Sequence, residues 1–73
     1  MSFFRIGNYL INRALVEAVS VGTLLPRISI YHNSNVTIYI SHYQGAEFKS
    51  FEDAEMCFRK IQEALEDSSI KEI

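Results

Sequence analysis

The chain has 73 residues, of which 48% are hydrophobic and 12% aromatic, and seven basic and nine acidic side chains give it a net charge of −2. These values are typical of one globular domain, 1–73; they argue against disorder and fall far short of a polyanion-binding stripe. A single cysteine cannot form an internal disulfide, so a small core must hold the fold without a covalent staple.

The N-terminal segment predicts a β-hairpin over residues 2–11. Gly7 and Asn8 suit a two-residue turn, because both residues tolerate the positive φ that such turns require. This turn pairs Ile6 with Tyr9 and separates the remaining side chains onto two faces. One face carries Phe4, Ile6, Tyr9 and Ile11, and the other carries Phe3, Arg5 and Leu10. Neither face is cleanly polar, so Phe3 and Leu10 are expected to need a cover.

A third strand is expected at 15–21, after a short corner at 12–14. Its β-branched valines and the closing Gly22 favour a strand, although 14–18 could also form a helical turn. The loop that follows, 22–26, holds Leu24 and Leu25 in positions that look exposed.

The clearest prediction is a second hairpin over 27–41. Its strands alternate on both sides of Asn33-Ser34-Asn35, and a three-residue loop keeps the isoleucines on one face. That apolar face comprises Ile28, Ile30, Val36, Ile38 and Ile40. The opposite face comprises Ser29, Tyr31, Thr37 and Tyr39, and it is polar but aromatic.

A polar connection, 42–49, leads to a helix predicted over 51–66. Ser50 and Asp53 resemble a capping box, and apolar residues recur at spacings of three and four. The stripe comprises Phe51, Ala54, Phe58, Ile61 and Leu65, and Cys57 and Ala64 flank it. The last segment, 67–73, reads as a polar tail that is free to fray, although Ile70 and Ile73 could dock on a neighbour.

These elements predict an α+β fold with two layers. An antiparallel sheet of four to five strands, from hairpins 2–11 and 27–41 and the strand 15–21, is covered on one face by the helix 51–66. Phe58 and Ile61 are expected to be fully buried against Ile30 and Ile38. The tyrosine-bearing face of the sheet is left open.

Candidate chemistry is sparse. His32, His42 and Cys57 are the only soft metal ligands and show no paired spacing, so no metal site is predicted. Cys57 is expected to act as a small core residue rather than a nucleophile. No phosphate-binding loop or catalytic constellation occurs, and so small a chain leaves little room for a ligand pocket of about 300 Å³. We therefore expect no enzyme activity and no cofactor.

The residues best suited to binding a partner are aromatic or basic. They are Tyr31, Tyr39, Phe3, Leu10, Arg5 and Arg27. Tyrosine and arginine are enriched in protein interfaces, and Phe3 and Leu10 are the apolar side chains expected to need a cover. We expect a small protein-interaction or regulatory module that self-associates, most simply as a dimer, through the open sheet face; an unidentified protein partner is also compatible. The alternative is a single-stranded nucleic-acid binder that stacks bases on Tyr31 and Tyr39.

Charge disfavours that alternative. Residues 1–46 carry three arginines against one glutamate, and residues 47–73 carry four basic against eight acidic side chains, so the halves have charges of +2 and −4. Phosphate neutralisation dominates nucleic-acid affinity, and few cations lie in the sheet half. No apolar run predicts a membrane span or a signal peptide, and a lone free cysteine fits a cytoplasmic location.

Overall fold

A computed structural model describes residues 2–73 and has the expected α+β fold, with antiparallel sheets followed by one C-terminal helix. The strands are β1 (Phe3–Ile6), β2 (Tyr9–Asn12), β3 (Val16–Val21), β4 (Ile28–His32), β5 (Val36–Ile40), β6 (His42–Tyr43) and β7 (Ala46–Glu47). The helix, α1, spans Phe51–Glu66, the range that its apolar periodicity predicts. A 3₁₀ turn, Arg13–Leu15, joins β2 to β3.

The strands form three separate sheets rather than one sheet of four to five strands. Within the described residues, β1 pairs with β2, β3–β4–β5 form a three-stranded sheet with β4 in the middle, and β6 pairs with β7. The two-stranded hairpins are therefore packed around the central sheet without extending it. The expected strand count was wrong because the corner at 13–15 turns the chain away before β3 begins.

The first hairpin has the predicted register, with Ile6 opposite Tyr9 across the Gly7-Asn8 turn. Phe4, Ile6 and Ile11 are buried, whereas Tyr9 at the turn end is 44% exposed. The other edge of β1 binds the C-terminal tail. The Arg5 N–H donates to the Lys71 carbonyl at 2.8 Å, and the Ile73 N–H donates to the Arg5 carbonyl at 2.8 Å. The tail thus runs parallel to β1 beside Arg5.

The second hairpin also has the predicted register, with Ile28 opposite Ile40 and Ile30 opposite Ile38 across a three-residue loop. Asn33 adopts the left-handed backbone conformation expected of asparagine there, and Ser34 does so too. The buried part of the apolar face comprises Ile28, Ile30 and Ile40. Ile38 is half-buried because β5 is an edge strand, and Val36, at the loop end of that strand, is exposed.

A short hairpin, β6–β7, occupies the segment that was expected to be a polar connection. Its register places Tyr43 opposite Ala46, and both turn residues, Gln44 and Gly45, have positive φ. Glycine takes this conformation readily, whereas glutamine is an unusual choice for it. The hairpin was missed because its strands are two residues long and its turn lacks the usual Asn-Gly pair.

The N-terminus of α1 is capped as predicted. The Asp53 N–H donates to the Ser50 hydroxyl at 3.3 Å, and the Asp53 carboxylate accepts from the Lys49 N–H at 2.9 Å. The Ser50 half of the capping box is therefore present, whereas the Asp53 carboxylate bonds the residue before the N-cap rather than the N-cap N–H that a capping box uses. The carboxylates of the first turn also face the positive end of the helix dipole.

The buried face of α1 differs from the predicted stripe. Its buried residues are Ala54, Cys57, Ile61 and Ala64, so three of the four are small. Phe51 is 47% exposed, while Phe58 and Leu65 are half-buried. Small residues permit a close approach of the helix to the sheet, and the large aromatic side chains are displaced to the flanks.

The expectation that Phe58 is fully buried was therefore wrong, whereas Ile61 is completely buried as expected. The reason is the position of the helix, which packs over β3 and β4 rather than over the middle of the second hairpin. Phe58 and Leu65 line a shallow cavity beside Val16 and Val19 on β3. Because β3 is an edge strand, side chains that overhang it remain partly exposed to solvent.

Arg13 joins three parts of the fold. Its Nε donates to the Ala64 carbonyl of α1 at 2.6 Å, and its Nη1 donates to the Ser2 hydroxyl at 2.7 Å and the Phe3 carbonyl at 2.6 Å. Its guanidinium also lies 5.4 Å from the centre of the Phe4 ring. The last turn of α1 contains no basic residue, so Arg13 supplies the cation that stabilises a helix C-terminus.

Candidate interaction surface

The central sheet has one face that the helix does not cover, and we call it the tyrosine face. Strand register places six side chains on it: Ala18 and Ser20 from β3, Ser29 and Tyr31 from β4, and Thr37 and Tyr39 from β5. Successive side chains of a strand point to opposite faces, so these six lie opposite the valines and isoleucines packed against α1. The alternation that creates the core thus also creates this surface.

Two tyrosines dominate the tyrosine face because their neighbours are small. Tyr31 lies between Ala18 and Thr37 and is 43% exposed, and Tyr39 lies opposite Ser29 and is 52% exposed. Ser29 itself is buried between its in-register neighbours on the middle strand. Half-exposed aromatic rings above a floor of small residues offer a large contact area at a low cost in conformational entropy.

Arg27 belongs to this surface. Its guanidinium carbon lies 4.3 Å from the centre of the Tyr39 ring, within the range of a cation–π contact. Arg27 directly precedes β4, which places it beside β5 at the end of the hairpin remote from the loop. The sequence-predicted residues Tyr31, Tyr39 and Arg27 are thus brought together on one face.

The other three predicted residues lie elsewhere. Phe3, Arg5 and Leu10 point away from the core on the outer face of the first hairpin, where Leu10 is 68% exposed. The Arg5 Nε donates to the Gly7 carbonyl at 3.2 Å, so the side chain folds back on its own hairpin. No strand pairing connects this hairpin to β3, β4 or β5 in the described part of the chain. The structure therefore separates the six predicted residues into two surfaces.

The two edges of the central sheet differ in construction. At the β3 edge, the register shifts at Glu17, which forms a bulge, and the Glu17 carboxylate accepts from the Ser34 N–H of the hairpin loop. A bulge and a fixed charge are both devices that prevent a second strand from pairing. The β5 edge, Val36–Ile40, has no charged residue, no proline and no bulge.

The β5 edge also has no backbone partner. Across residues 2–73, the backbone groups of Val36–Ile40 form hydrogen bonds with β4 and with no other segment. In an antiparallel ladder, alternate residues direct their N–H and C=O groups to opposite sides of the strand. One set of these groups on β5 therefore faces outward, in position to accept a further strand.

An open groove of about 490 Å³ lies between the turn of the first hairpin and the end of β5. It is larger than the volume expected to fit in so small a chain, since the turns of the first hairpin and of β6–β7 leave a gap beside the end of β5. Tyr9, Tyr39, His42 and Tyr43 contribute to its walls, and the Ser41 hydroxyl lies 3.1 Å from the His42 Nδ1. Its lining contains no Asp or Glu side chain, so this serine–histidine pair lacks the acidic residue that completes a hydrolytic triad.

The remaining reactive side chains are dispersed. Cys57 is completely buried in the core, and burial raises the pKa of its thiol to about 11, which keeps it protonated and unreactive near neutral pH. Residues 2–73 contain no group of three or more His, Cys, Asp or Glu side chains placed to hold a metal ion. His32 lies on the helix-facing side of β4, and His42 lies on β6.

No family model, no curated protein and no solved structure matches this chain. In the described part of the chain, α1 is too short and too polar to cross a membrane.

Two features of this surface were not predicted from the sequence. The first is the bulge at Glu17, although its signal is visible: Val16, Val19 and Val21 are spaced by three and then two, which breaks a strict alternation. The second is that β5 is an edge strand. Sequence pattern defines the faces of a strand, whereas its neighbours depend on how the hairpins assemble.

Proposed function

We propose that this protein is a small, non-enzymatic interaction module that self-associates through its central sheet, using the β5 side of the tyrosine face. A single observation carries this proposal. The side of the sheet opposite α1 presents Tyr31 and Tyr39, both about half exposed, above small side chains.

Size supports self-association. The described core contains eleven buried hydrophobic residues, and three of them are alanine or cysteine on the helix. A chain of this length buries only about 60% of its unfolded surface, and a dimer is a common way to bury more. The exposed apolar side chains near β5, which include Val36 and Tyr39, are available for that purpose.

The contact of Arg27 with Tyr39 weakens the case for nucleic-acid binding. A guanidinium 4.3 Å from the ring centre occupies one of the two ring faces that a base would use for stacking. Arg27 is also the only basic residue among the side chains of this surface, so it offers few contacts for phosphates. We therefore favour a protein partner, and a second copy of the chain is the simplest one.

Molar mass in solution tests the proposal. Light scattering or sedimentation equilibrium of the wild-type protein, at concentrations up to tens of micromolar, should give the mass of a dimer with a Kd in the range of modest interfaces. Tyr39→Ala should weaken the dimer. Leu10→Ala removes an exposed apolar side chain from the first hairpin and serves as the control, since it should leave the dimer intact.

A wild-type protein that is monomeric throughout this range overturns the proposal. A dimer weakened by Leu10→Ala but not by Tyr39→Ala would transfer the interface to the first hairpin. Titration of a fluorescent single-stranded oligonucleotide at low and then high salt addresses the alternative. Salt-sensitive binding that disappears in Tyr39→Ala would favour the nucleic-acid function over self-association.

A further inference from the structure

We infer that two copies of this chain associate edge to edge through β5, forming one continuous six-stranded antiparallel sheet in which β5 pairs with the β5 strand of the second copy. This inference rests on the proposed self-association and specifies its geometry. It differs from a face-to-face packing of two tyrosine faces, which would leave both β5 edges unpaired.

The contrast between the two edges selects β5. The β3 edge carries the Glu17 bulge, and that carboxylate is held against the Ser34 N–H, so neither its backbone nor its charge favours another strand. β5 pairs with β4 over all five of its residues without a shift in register. Its outward backbone groups have no partner within residues 2–73.

The composition of β5 favours a second copy over a different partner. Val36–Ile40 contains no ionisable group except the tyrosine hydroxyl, so self-pairing brings no like charges together. A strand that pairs with its own copy in an antiparallel sense generates a two-fold axis, the commonest symmetry of homodimers. Each copy then satisfies the backbone groups of the other with the same set of atoms.

Symmetry restricts the register. Residues opposite one another in an antiparallel pair point to the same face, so a two-fold axis perpendicular to the sheet must pass through a residue position rather than between two. Centring the axis on Ile38 uses the whole strand. It pairs Ile38 with its own copy, Thr37 with Tyr39, and Val36 with Ile40.

This register accounts for the exposure pattern at the edge. Val36 is 49% exposed on the helix-facing side, and it would lie across from Ile40 of the second copy, whose side chain is already buried within its own protomer. Ile38 is half-buried, and it would be covered by its symmetry mate. On the tyrosine face, Tyr39 would lie across from Thr37, whereas Tyr31 on the middle strand would stay away from the interface.

Paired charges on β5 test the register. Thr37→Lys/Tyr39→Lys places two like-charged pairs across the two-fold axis and should raise the Kd by clearly more than the roughly tenfold expected of Tyr39→Ala, because repulsion between like charges directly opposite adds to the loss of the ring. Thr37→Glu/Tyr39→Glu should have the same effect. An equimolar mixture of the two variants should recover a heterodimer, since each pair then joins opposite charges. Circular dichroism of each variant confirms that the protomer remains folded.

Hydrogen exchange distinguishes the edge from the face. Amide exchange of Val36–Ile40 is followed by NMR at concentrations below and above the measured Kd. The amides that donate to β4 should be protected at both concentrations. The outward amides should become protected only at the higher concentration. Tyr31→Ala should change the Kd less than threefold, whereas Tyr39→Ala should raise it by about tenfold.

The outcomes separate this inference from the proposed function. A monomer at all concentrations overturns both. A dimer whose outward β5 amides exchange freely, and which is weakened equally by Tyr31→Ala and Tyr39→Ala, retains self-association but overturns the edge geometry in favour of face-to-face packing. A dimer with protected β5 amides but no rescue in the charge-swapped mixture overturns the register centred on Ile38.

Discussion

On one face of the central sheet, Ile28 and Ile30 are completely buried, while on the other face Tyr31 and Tyr39 are about half exposed. The first face packs against α1, and the second has only small side chains between its tyrosines. The difference shows that strands of five or six residues can serve as core and as surface at once. Stability and association should therefore respond to different faces of the same sheet.

The largest expected effect lies on the helix-covered face. Ile61→Ala removes a fully buried side chain at the centre of α1 and should lower the free energy of unfolding by about 2–5 kcal/mol, enough to unfold much of a domain this small. Phe58→Ala deletes a larger side chain but should cost less, because Phe58 lies at the flank of the helix and is already partly solvated.

Urea denaturation followed by circular dichroism measures both variants of this pair. We expect Ile61→Ala to unfold at a lower urea concentration than Phe58→Ala. The opposite order would mean that the flank over β3, rather than the small-residue face of α1, forms the energetic centre of the core. Met56→Ala, on the exposed side of the helix, controls for changes in helix propensity.

The sequence alone predicts the local pairings and the helix limits well. Alternation fixed the registers of Phe4 with Ile11 and of Ile30 with Ile38, because slipping by one residue would turn every apolar side chain outward. Helix spacing and a capping serine likewise fixed the limits of α1. These features depend on residues close together in the chain.

The arrangement of these elements could not be predicted in the same way. The apolar stripe of α1 contains both large and small residues, and only the way the helix is rotated against the sheet decides that Ala54 and Cys57 face inward while Phe51 does not. The separation of the candidate site into a tyrosine face and an outer face of the first hairpin has the same origin. Leu10 and Tyr39 are both exposed, but no strand pairing within residues 2–73 joins their surfaces.

An intermediate effect on the free energy of unfolding is expected for Arg13, which anchors the C-terminal end of α1. Arg13 holds the end of α1 to the first hairpin through hydrogen bonds to the carbonyls of Ala64 and Phe3. Arg13→Ala should lower the free energy of unfolding by about 1.5–3 kcal/mol, the range for hydrogen bonds to charged groups. Arg13→Lys should restore little of it, because a lysine ammonium cannot reproduce the fork of the guanidinium.

Arg59→Ala is the control for this experiment, since Arg59 is exposed on α1 and its removal should change stability by no more than about 0.5 kcal/mol. Neither substitution should affect the Kd of dimerisation when the protomer is folded. If Arg13→Lys were as stable as the wild type, the contribution of Arg13 would be its charge at the helix terminus rather than its directed hydrogen bonds.

The smallest expected effect lies on the tyrosine face, where Arg27 contacts the ring of Tyr39 at 4.3 Å. A double-mutant cycle with Arg27→Ala, Tyr39→Ala and the double variant should give a coupling energy of about 0.5–1 kcal/mol, the range for an exposed cation–π pair. Measuring it in the monomer, at concentrations below the Kd, isolates the intramolecular contact. Replacing Arg27 by methionine keeps a long apolar side chain but removes the cation, so it should lose the coupling as alanine does. If methionine at position 27 kept the full coupling energy with Tyr39, the contact would be apolar packing rather than a cation–π interaction. The tyrosine face would then be held together by packing, as the helix-covered face is, despite its greater exposure.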